Sequence, residues 1–503
     1  MTEFKFARCT PEELGVSSKG ITAFIEAFEN KTKGRDLMEM HGFMLLRHGK
    51  VAAEAWWKPY SPDYRHMLYS LSKSFTSTAV GFAVSEGLIS TEDKVISYFT
   101  EELPAEISKN LEAMTIKHLL TMSTGHSEDT LEPMWEQSEG NWAKAFLEMP
   151  VEYEPGTHFL YNSGATYMLS AIIQKVTGSR MLEYLKPRLF EPLGTENPVW
   201  DVCPRGIDIG GYGLSIKTED IARFGQLYLQ KGKWEGRQLI PLKWVEEATR
   251  LQISNSDSPE IGGDWEQGYG YQFWRCRHNS FRGDGAYGQY CIVIPEKDAV
   301  FAANCAVEDM GLMFDLVWDN LYTAMHDDIL PEDKAAYGAM CSKIASLKLP
   351  VPESIQNKAA EDRISGRWYK LDSNEFGIDR IQFNFDGQNC CIEMTGLNGD
   401  GLVGNVGMPT SENRYSLKCG IGGWVEGRAE ESGVAACFDY ADVIYTASAW
   451  KDEKTFKIIL RLVESPHYNI INCNFDGDRL EMDFKINLAM FNYDVKPLHG
   501  RGI

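Results

Sequence analysis

The order in which hydrophobic periodicity changes along this chain restricts its fold more than any single motif. Ile21, Phe24, Ile25 and Phe28 recur at helical spacing and predict an amphipathic helix. Runs at 43–46 and 51–57 predict a hairpin turning at His48-Gly49. Helical spacing then dominates from 70 to about 189. Strand-like runs return at 269–275, 281–295 and 300–305, with Pro295-Glu296-Lys297-Asp298 as a turn, and a helix at 312–325 closes the pattern. Strands from both ends of a domain with helices between them make an α+β fold, an antiparallel sheet carrying a helical lobe.

Past the punctuation Pro350-Val351-Pro352 the pattern switches to alternating apolar and polar residues. Runs at 380–385, 390–394, 434–439, 444–450, 456–463 and 479–484, separated by Gly, Asp or Asn turns, predict a C-terminal all-β barrel-like domain. Trp368, Tyr369 and Trp424 read as barrel filling rather than as a binding platform. The expected organisation is a first domain over 1–330, a linker over 331–360 and a β domain over 361–503.

A formal charge of -22 opposes nucleic acid or an anionic membrane as partner and leaves small molecules, with self-association into a homo-oligomer open. The first nine residues lack the apolar core of a signal peptide, and no run of eighteen apolar residues follows. Eleven cysteines, an odd number that includes the adjacent pair Cys390-Cys391, suit a reducing interior, so a cytoplasmic location is expected. HExxH, spaced Cys/His clusters, dinucleotide fingerprints and phosphate loops are missing, so neither a metal nor another cofactor is implied.

Ser70-Leu71-Ser72-Lys73 opens an apolar helical segment. Residues i and i+3 share a helical face, which brings a serine hydroxyl within reach of an amine. A serine is a weak nucleophile at neutral pH and needs a partner for its proton; a desolvated lysine with a lowered pKa can serve. The helix N-terminus also favours negative charge on the serine oxygen. The chain holds its own control, Ser448-Ala449-Trp450-Lys451, the same spelling inside strand-like sequence, where it reads as coincidence.

Tyr161-Asn162-Ser163 follows the turn Pro155-Gly156-Thr157-His158 and precedes a second helical pattern, Tyr167, Met168, Ile172, Ile173 and Val176. Tyr69-Ser70-Leu71-Ser72-Lys73-Ser74-Phe75-Thr76, His118-Leu119-Leu120-Thr121-Met122-Ser123-Thr124-Gly125, the stretch 155–162, Leu189-Phe190-Glu191-Pro192-Leu193-Gly194 and Gly288-Gln289-Tyr290-Cys291-Ile292-Val293-Ile294-Pro295 occur in this order. The chain thereby resembles the serine beta-lactamase and penicillin-binding-protein superfamily, in particular class C-like hydrolases, esterases and nylon-oligomer hydrolases, over about 43–324. The resemblance implies a beta-lactamase/transpeptidase-like fold for 1–330 and an acyl-enzyme at Ser70. Lys73 would accept or stabilise the serine proton, and Tyr161 would act as partner base or proton shuttle. A phenol becomes more acidic when an ammonium faces it in a closed pocket.

Two motifs depart from the family. The second usually reads Tyr-x-Asn, whereas asparagine stands second here; either Ser163 donates in its stead or Asn162 reaches the substrate amide from a shifted backbone. The third usually supplies Lys-Thr-Gly or His-x-Gly, and the corresponding stretch Arg282-Gly283-Asp284-Gly285-Ala286-Tyr287 has neither lysine nor histidine. That cation commonly receives a substrate carboxylate; with Asp284 in the motif, and Arg282 on the same strand face partly neutralised by it, an ester or neutral amide fits better than a penicillin. The glycines let a strand approach the substrate closely, with an oxyanion hole expected from the Ser70 N–H and that of Ala286 or Tyr287. The substrate-binding set is thus Asn162, Ser163, Asp284, Gly285, Ala286 and Tyr287, and Trp135, Trp142, Tyr60, Tyr212 and Tyr287 are candidates to line the cleft. His48 and His126 lack a visible partner and read as structural. The expected function is a serine hydrolase for a small ester or amide. The alternatives are a D-aminopeptidase or beta-lactamase, and an acylated or non-catalytic sensor of the same fold.

Overall fold

The computed structural model describes residues 5–35, 38–136, 140–256, 263–374, 376–396, 414–429, 442–486 and 496–503. They divide into two compact units: Met1–Trp57 with Ser61–Leu347, and Lys58–Tyr60 with Lys348–Ile503.

In the first unit, helix α1 (Ser18–Thr32) leads into the hairpin β1 (Met38–Arg47) and β2 (Lys50–Trp56). A helical lobe follows, in which α2 (Ser72–Ser85), α3 (Leu131–Glu136), α4 (Ser163–Thr177) and α5 (Thr218–Leu229) carry or support the site. The chain then returns as β3 (Trp274–Arg275), β4 (Phe281–Gly285), β5 (Gln289–Ile294) and β6 (Ala299–Val307), ending in α6 (Met310–Leu316). The sheet is antiparallel in the order β2-β1-β6-β5-β4-β3, so the first hairpin pairs with the last strand. Every residue of β6 is buried because helices cover both faces. On one, Phe24 of α1 packs edge-on against Phe43 and Phe301, at 5.4 and 5.6 Å between ring centres. On the other, α5 lies so close that a Cβ on Gly225 would stand 2.6 Å from Val300. Burial on two sides is why β6 is a continuous apolar run broken only by Asn304.

The stretch 331–360 carries more structure than a linker. Its first part is helix α7 (Lys334–Ala345), tied to α1 by Lys19–Asp333 at 3.0 Å and by Lys343–Glu29, and the unit division falls between Leu347 and Lys348.

The second unit opens with α8 (Lys358–Ile364) and continues as β7 (Trp368–Leu371), β8 (Arg380–Phe385), β9 (Asn389–Thr395), β10 (Arg414–Ile421), β11 (Val425–Arg428), β12 (Val443–Trp450), β13 (Thr455–Leu462), β14 (Tyr468–Asp476), β15 (Arg479–Ile486) and β16 (Leu498–Gly502). Neighbours are antiparallel except where β10 pairs with β12 in parallel at Gly420–Ala447 and Ile421–Ser448. That pairing closes a 9-strand barrel and leaves β11 as an extra strand on β12. Closure removes the open edges that a sheet of this size would otherwise expose. Burial alternates along β9 and β14, and the inward side chains meet: Phe475 touches Tyr369, Phe383 and Trp450 at 5.7, 5.1 and 6.0 Å. Tyr369 is therefore barrel filling, while Trp368 and Trp424 are half-buried. The strand expected at 434–439 lies outside the described residues.

Candidate active site

Ser70 lies in a single tight turn, Tyr69–Leu71, that runs directly into α2. Backbone and side-chain bonds strap this segment to a short strand, Leu214–Ile216: Leu68 N–H donates to Leu214 O at 2.8 Å, and Leu214 N–H donates to Ser72 Oγ at 3.1 Å. On its other side stands β4. A Cβ on Gly285 would sit 2.0 Å from Leu68 O, and one on Gly283 would sit 2.5 Å from Leu71 Cδ1. Only glycine admits this approach, so the Gly-rich strand is explained by what it packs against. Tyr69 and Tyr287 both adopt left-handed backbone, φ +48° and +62°, and their rings meet edge to face at 5.4 Å. Such strain costs on the order of 1–3 kcal/mol per residue and gathers at functional sites.

One turn into the helix, Lys73 is 2 % exposed. Its Nζ lies 2.9 Å from Ser70 Oγ, 3.2 Å from Ser163 Oγ and 2.8 Å from Gly211 O. Three acceptors match the three protons of an ammonium; a neutral amine would keep two of those bonds and turn its lone pair to the serine hydroxyl. Burial lowers the Lys73 pKa to about 8, against the raising influence of Asp129 and Asp284.

Tyr161 enters from the turn ahead of α4. Its phenol hydrogen-bonds with Ser70, so the serine oxygen stands between lysine and tyrosine. Its ring lies face-on against Trp274, 5.3 Å away at 18°, and edge-on to Tyr269 at 6.4 Å. The expected acidification of this phenol is corrected by the geometry. Lys73 Nζ lies over the ring, 4.8 Å from its centre. Burial, aided by the Asp284 carboxylate, pushes the phenol well above its ordinary value despite the bond from Ser70.

The altered second motif is resolved by side-chain direction. Asn162 is fully buried and caps α4, its Oδ1 accepting from Ala165 N–H at 3.1 Å, Thr130 N–H at 3.3 Å and the Thr130 hydroxyl at 2.7 Å. Its Oδ1 is thereby committed to structure, while its buried Nδ2 has no hydrogen-bond partner among the described residues. Ser163 takes the position at the lysine instead.

In the third motif, Arg282 is fully buried, with its guanidinium 5.0 Å from the Trp265 ring, 5.5 Å from Trp274 and 4.4 Å from Phe314. Its Nε donates to Asp284 Oδ2 at 2.8 Å and its Nη1 to Asp264 O at 2.9 Å. Asp284 is 6 % exposed and faces both Lys73 and Tyr161 through its charge. Ala286 is half-buried at the end of β4, beside Tyr287.

Around the cleft, the half-buried Trp135 and Tyr212 meet edge to face at 6.0 Å, and Trp142 packs on the buried Tyr167. Tyr60 belongs to the second unit, where its hydroxyl donates to Ser465 O. His126 is buried, bonded through Nδ1 to Thr124 Oγ1 at 2.9 Å and held down to about 4 by burial; His48 pairs with Asp298 at the sheet turns. Both are structural. Sequence reasoning missed Gly211 O as a lysine partner, although Gly211-Tyr212-Gly213 invites close backbone approach, and missed Asp129 and Trp274 altogether.

The Beta-lactamase family profile matches residues 35–312. The 6-aminohexanoate-dimer hydrolase of Paenarthrobacter ureafaciens is 28% identical over 280 residues, 51% of this chain and 70% of that one. The lovastatin esterase of Penicillium rubens is 26% identical over 159 residues, 27% and 40% of the two chains. Among solved structures, a putative 6-aminohexanoate-dimer hydrolase from Bacillus anthracis superposes with a TM-score of 0.52 at 20% identity, over 65% of this chain and 89% of that one. The profile's span begins just ahead of β1 and ends inside α6, taking in the whole sheet, the lobe and the Ser70–Lys73–Tyr161 cluster. With more than half its length so matched, the chain belongs to the beta-lactamase family and is a serine hydrolase.

Proposed function

We propose that the protein hydrolyses a small ester or neutral amide through an acyl-enzyme at Ser70. The observation that carries this reading is the buried Lys73 amine 2.9 Å from Ser70 Oγ, with a pKa lowered to about 8. A neutral Lys73 takes the hydroxyl proton as Oγ bonds to the acyl carbon. The resulting ammonium is stabilised by Ser163 Oγ and Gly211 O. Tyr161, kept protonated by its surroundings, passes a proton to the leaving alkoxide or amine as the tetrahedral adduct collapses, and is reprotonated from Lys73. Water then attacks the ester at Ser70 by the reverse sequence. Backbone N–H groups of Ser70 and of Ala286 or Tyr287 serve the oxyanion.

Substrate preference follows from the third motif. Arg282, the cation on the strand bordering the site, is committed to Asp284 and enclosed by three aromatic rings. A carboxylate-bearing penicillin or D-Ala-D-Ala terminus would meet Asp284 instead. Relatives named 6-aminohexanoate-dimer hydrolase and lovastatin esterase support a small-molecule hydrolase of this kind.

The test is intact-mass labelling with a fluorophosphonate, wild type beside Ser70→Ala, together with a time course on p-nitrophenyl esters. Labelling confined to the wild type with steady turnover is the expected result. A stable adduct without turnover would favour an acylated sensor, and no labelling of folded wild type would end the hydrolase reading.

A further inference from the structure

We propose that Gln272 is a positioning residue for the hydrolysis: its buried amide sets where Tyr161 stands relative to Ser70 and Lys73. The inference rests on the hydrolase reading above and adds to it the part that aligns the proton donor.

Gln272 is 2 % exposed and holds left-handed backbone, φ +62°. A residue other than glycine keeps that conformation only where its surroundings impose it. Here its polar groups are all engaged, with partners on separate segments. Nε2 donates to Leu119 O at 3.1 Å and to Leu120 O at 3.0 Å, and the backbone N–H donates to Leu120 O at 3.1 Å. Oε1 accepts from the Thr166 hydroxyl at 2.7 Å, and the backbone carbonyl accepts from the Ser74 hydroxyl at 2.8 Å. The Leu119 and Leu120 carbonyls can only accept, which fixes the amide with its nitrogen toward them.

These bonds lead to the reacting groups. Ser74 follows Lys73 on α2, so its bond to Gln272 O anchors the helix that carries the base. Leu119 and Leu120 end the short helix Ile116–Leu120, whose last carbonyls the amide caps. Two residues on, Met122 grips both neighbours of Tyr161: its O accepts from Leu160 N–H at 2.8 Å and its Sδ from Asn162 N–H at 3.3 Å. Met122 is itself buried and left-handed, φ +55°. Trp274, two residues after Gln272, lies face-on against the Tyr161 ring and is paired in register with Arg282. Tyr161 is thus held at its backbone through Leu120 and Met122 and at its ring through Trp274, and both holds start at Gln272. Capping the short helix requires only the N–H groups. The further bonds to Thr166 on α4 and Ser74 on α2 join the helix that begins beside Tyr161 to the helix that bears Lys73. A phenol displaced by an ångström from the leaving-group oxygen loses about 10²-fold in rate.

The experiment measures kcat/KM for a series of phenyl butyrates, from p-nitrophenyl to p-methoxyphenyl, in wild type and Gln272→Met. Rates are expressed per serine titrated with a fluorophosphonate, so a misfolded fraction drops out, and kcat/KM isolates acylation. Nitrophenolate leaves unaided, whereas methoxyphenolate needs the Tyr161 proton; a displaced phenol therefore steepens the fall of rate with leaving-group basicity. Gln272→Met should stay within about threefold of wild type on the p-nitrophenyl ester and lose about 10- to 100-fold on the p-methoxyphenyl ester. A loss that does not grow along the series, or no loss, overturns this inference and leaves the hydrolase reading standing. Absence of Ser70-dependent turnover of any ester by the wild type overturns both. If Gln272→Met does not fold, Thr166→Val, which removes one of the bonds and keeps the side chain's shape, decides in its place: a steeper series is expected, and one parallel to the wild type overturns the inference.

Discussion

Ser70-Leu71-Ser72-Lys73 and Ser448-Ala449-Trp450-Lys451 share a spelling and nothing else. The first pair spans the start of α2, where i and i+3 fall on one face and the side chains meet at 2.9 Å. The second runs along β12, where alternation sends Ser448 inward to donate to Gly420 O at 3.0 Å, while Lys451, just past the strand, is exposed. The difference lies in the neighbours. Ser70 stands ahead of a buried helix that meets Tyr161, Ser163 and Gly211; Ser448 stands in a barrel whose interior is Trp450, Phe456 and Phe475. A motif is thus chemistry only where the secondary structure turns its residues to a common point.

The comparison can be broken most decisively at the serines. Ser70→Ala should lower kcat/KM by about 10⁴-fold or more, as loss of a nucleophile does in other serine hydrolases, whereas Ser448→Ala should leave turnover within about twofold; an ester time course on both variants decides. The lysines come next. Lys73→Arg keeps the charge but cannot release a proton near neutrality, so a loss of about 10²–10⁴ is expected, against no measurable change for Lys451→Arg.

A third difference is in pH. Because Lys73 must be neutral to act and its pKa is lowered to about 8, kcat/KM should rise with pH through about 8 and then level off. Asp284 and Asp129 favour the ammonium, the first from β4 and the second from the loop ahead of α3, so Asp284→Asn should move this limb to lower pH. A limb that stays put in a folded Asp284→Asn variant would remove Asp284 from the electrostatics of the base. The smallest effect is on stability: Ser448→Ala loses one buried hydrogen bond and should cost about 1 kcal/mol in denaturant unfolding, while Lys451→Ala should stay within about 0.5 kcal/mol.

Much of the architecture was legible because it is written in periodicity. The hairpin at β1 and β2, the helical lobe and the returning strands follow patterns of period two and 3.6, as do the alternating strands of the barrel. The contact between Ser70 and Lys73 was legible because four residues of helix suffice to join them. The clamp of Thr130 on Asn162 was not legible, since Thr130 lies on another segment, although the capping bond from Ala165 N–H is local. Nor was the direction of the Tyr161 shift, which is set first by burial among segments distant in the chain and then by the Asp284 carboxylate. Barrel closure through the parallel β10–β12 pairing has no local signal either, because the contact between Gly420 and Ala447 is a matter of topology.

What the sequence determined by itself was the order of elements, the helix-borne pairing of Ser70 with Lys73 and the missing family cation in the third motif, all properties of spacing and residue type. Tertiary structure decided the rest. It buried Lys73 and so brought its amine toward neutrality, it enclosed Arg282 with Asp284, and it carried Asp129 and Gly211 to the same few ångströms. The physical reason is that desolvation and charge depend on everything that surrounds a group, and those surroundings come from segments far apart in the chain.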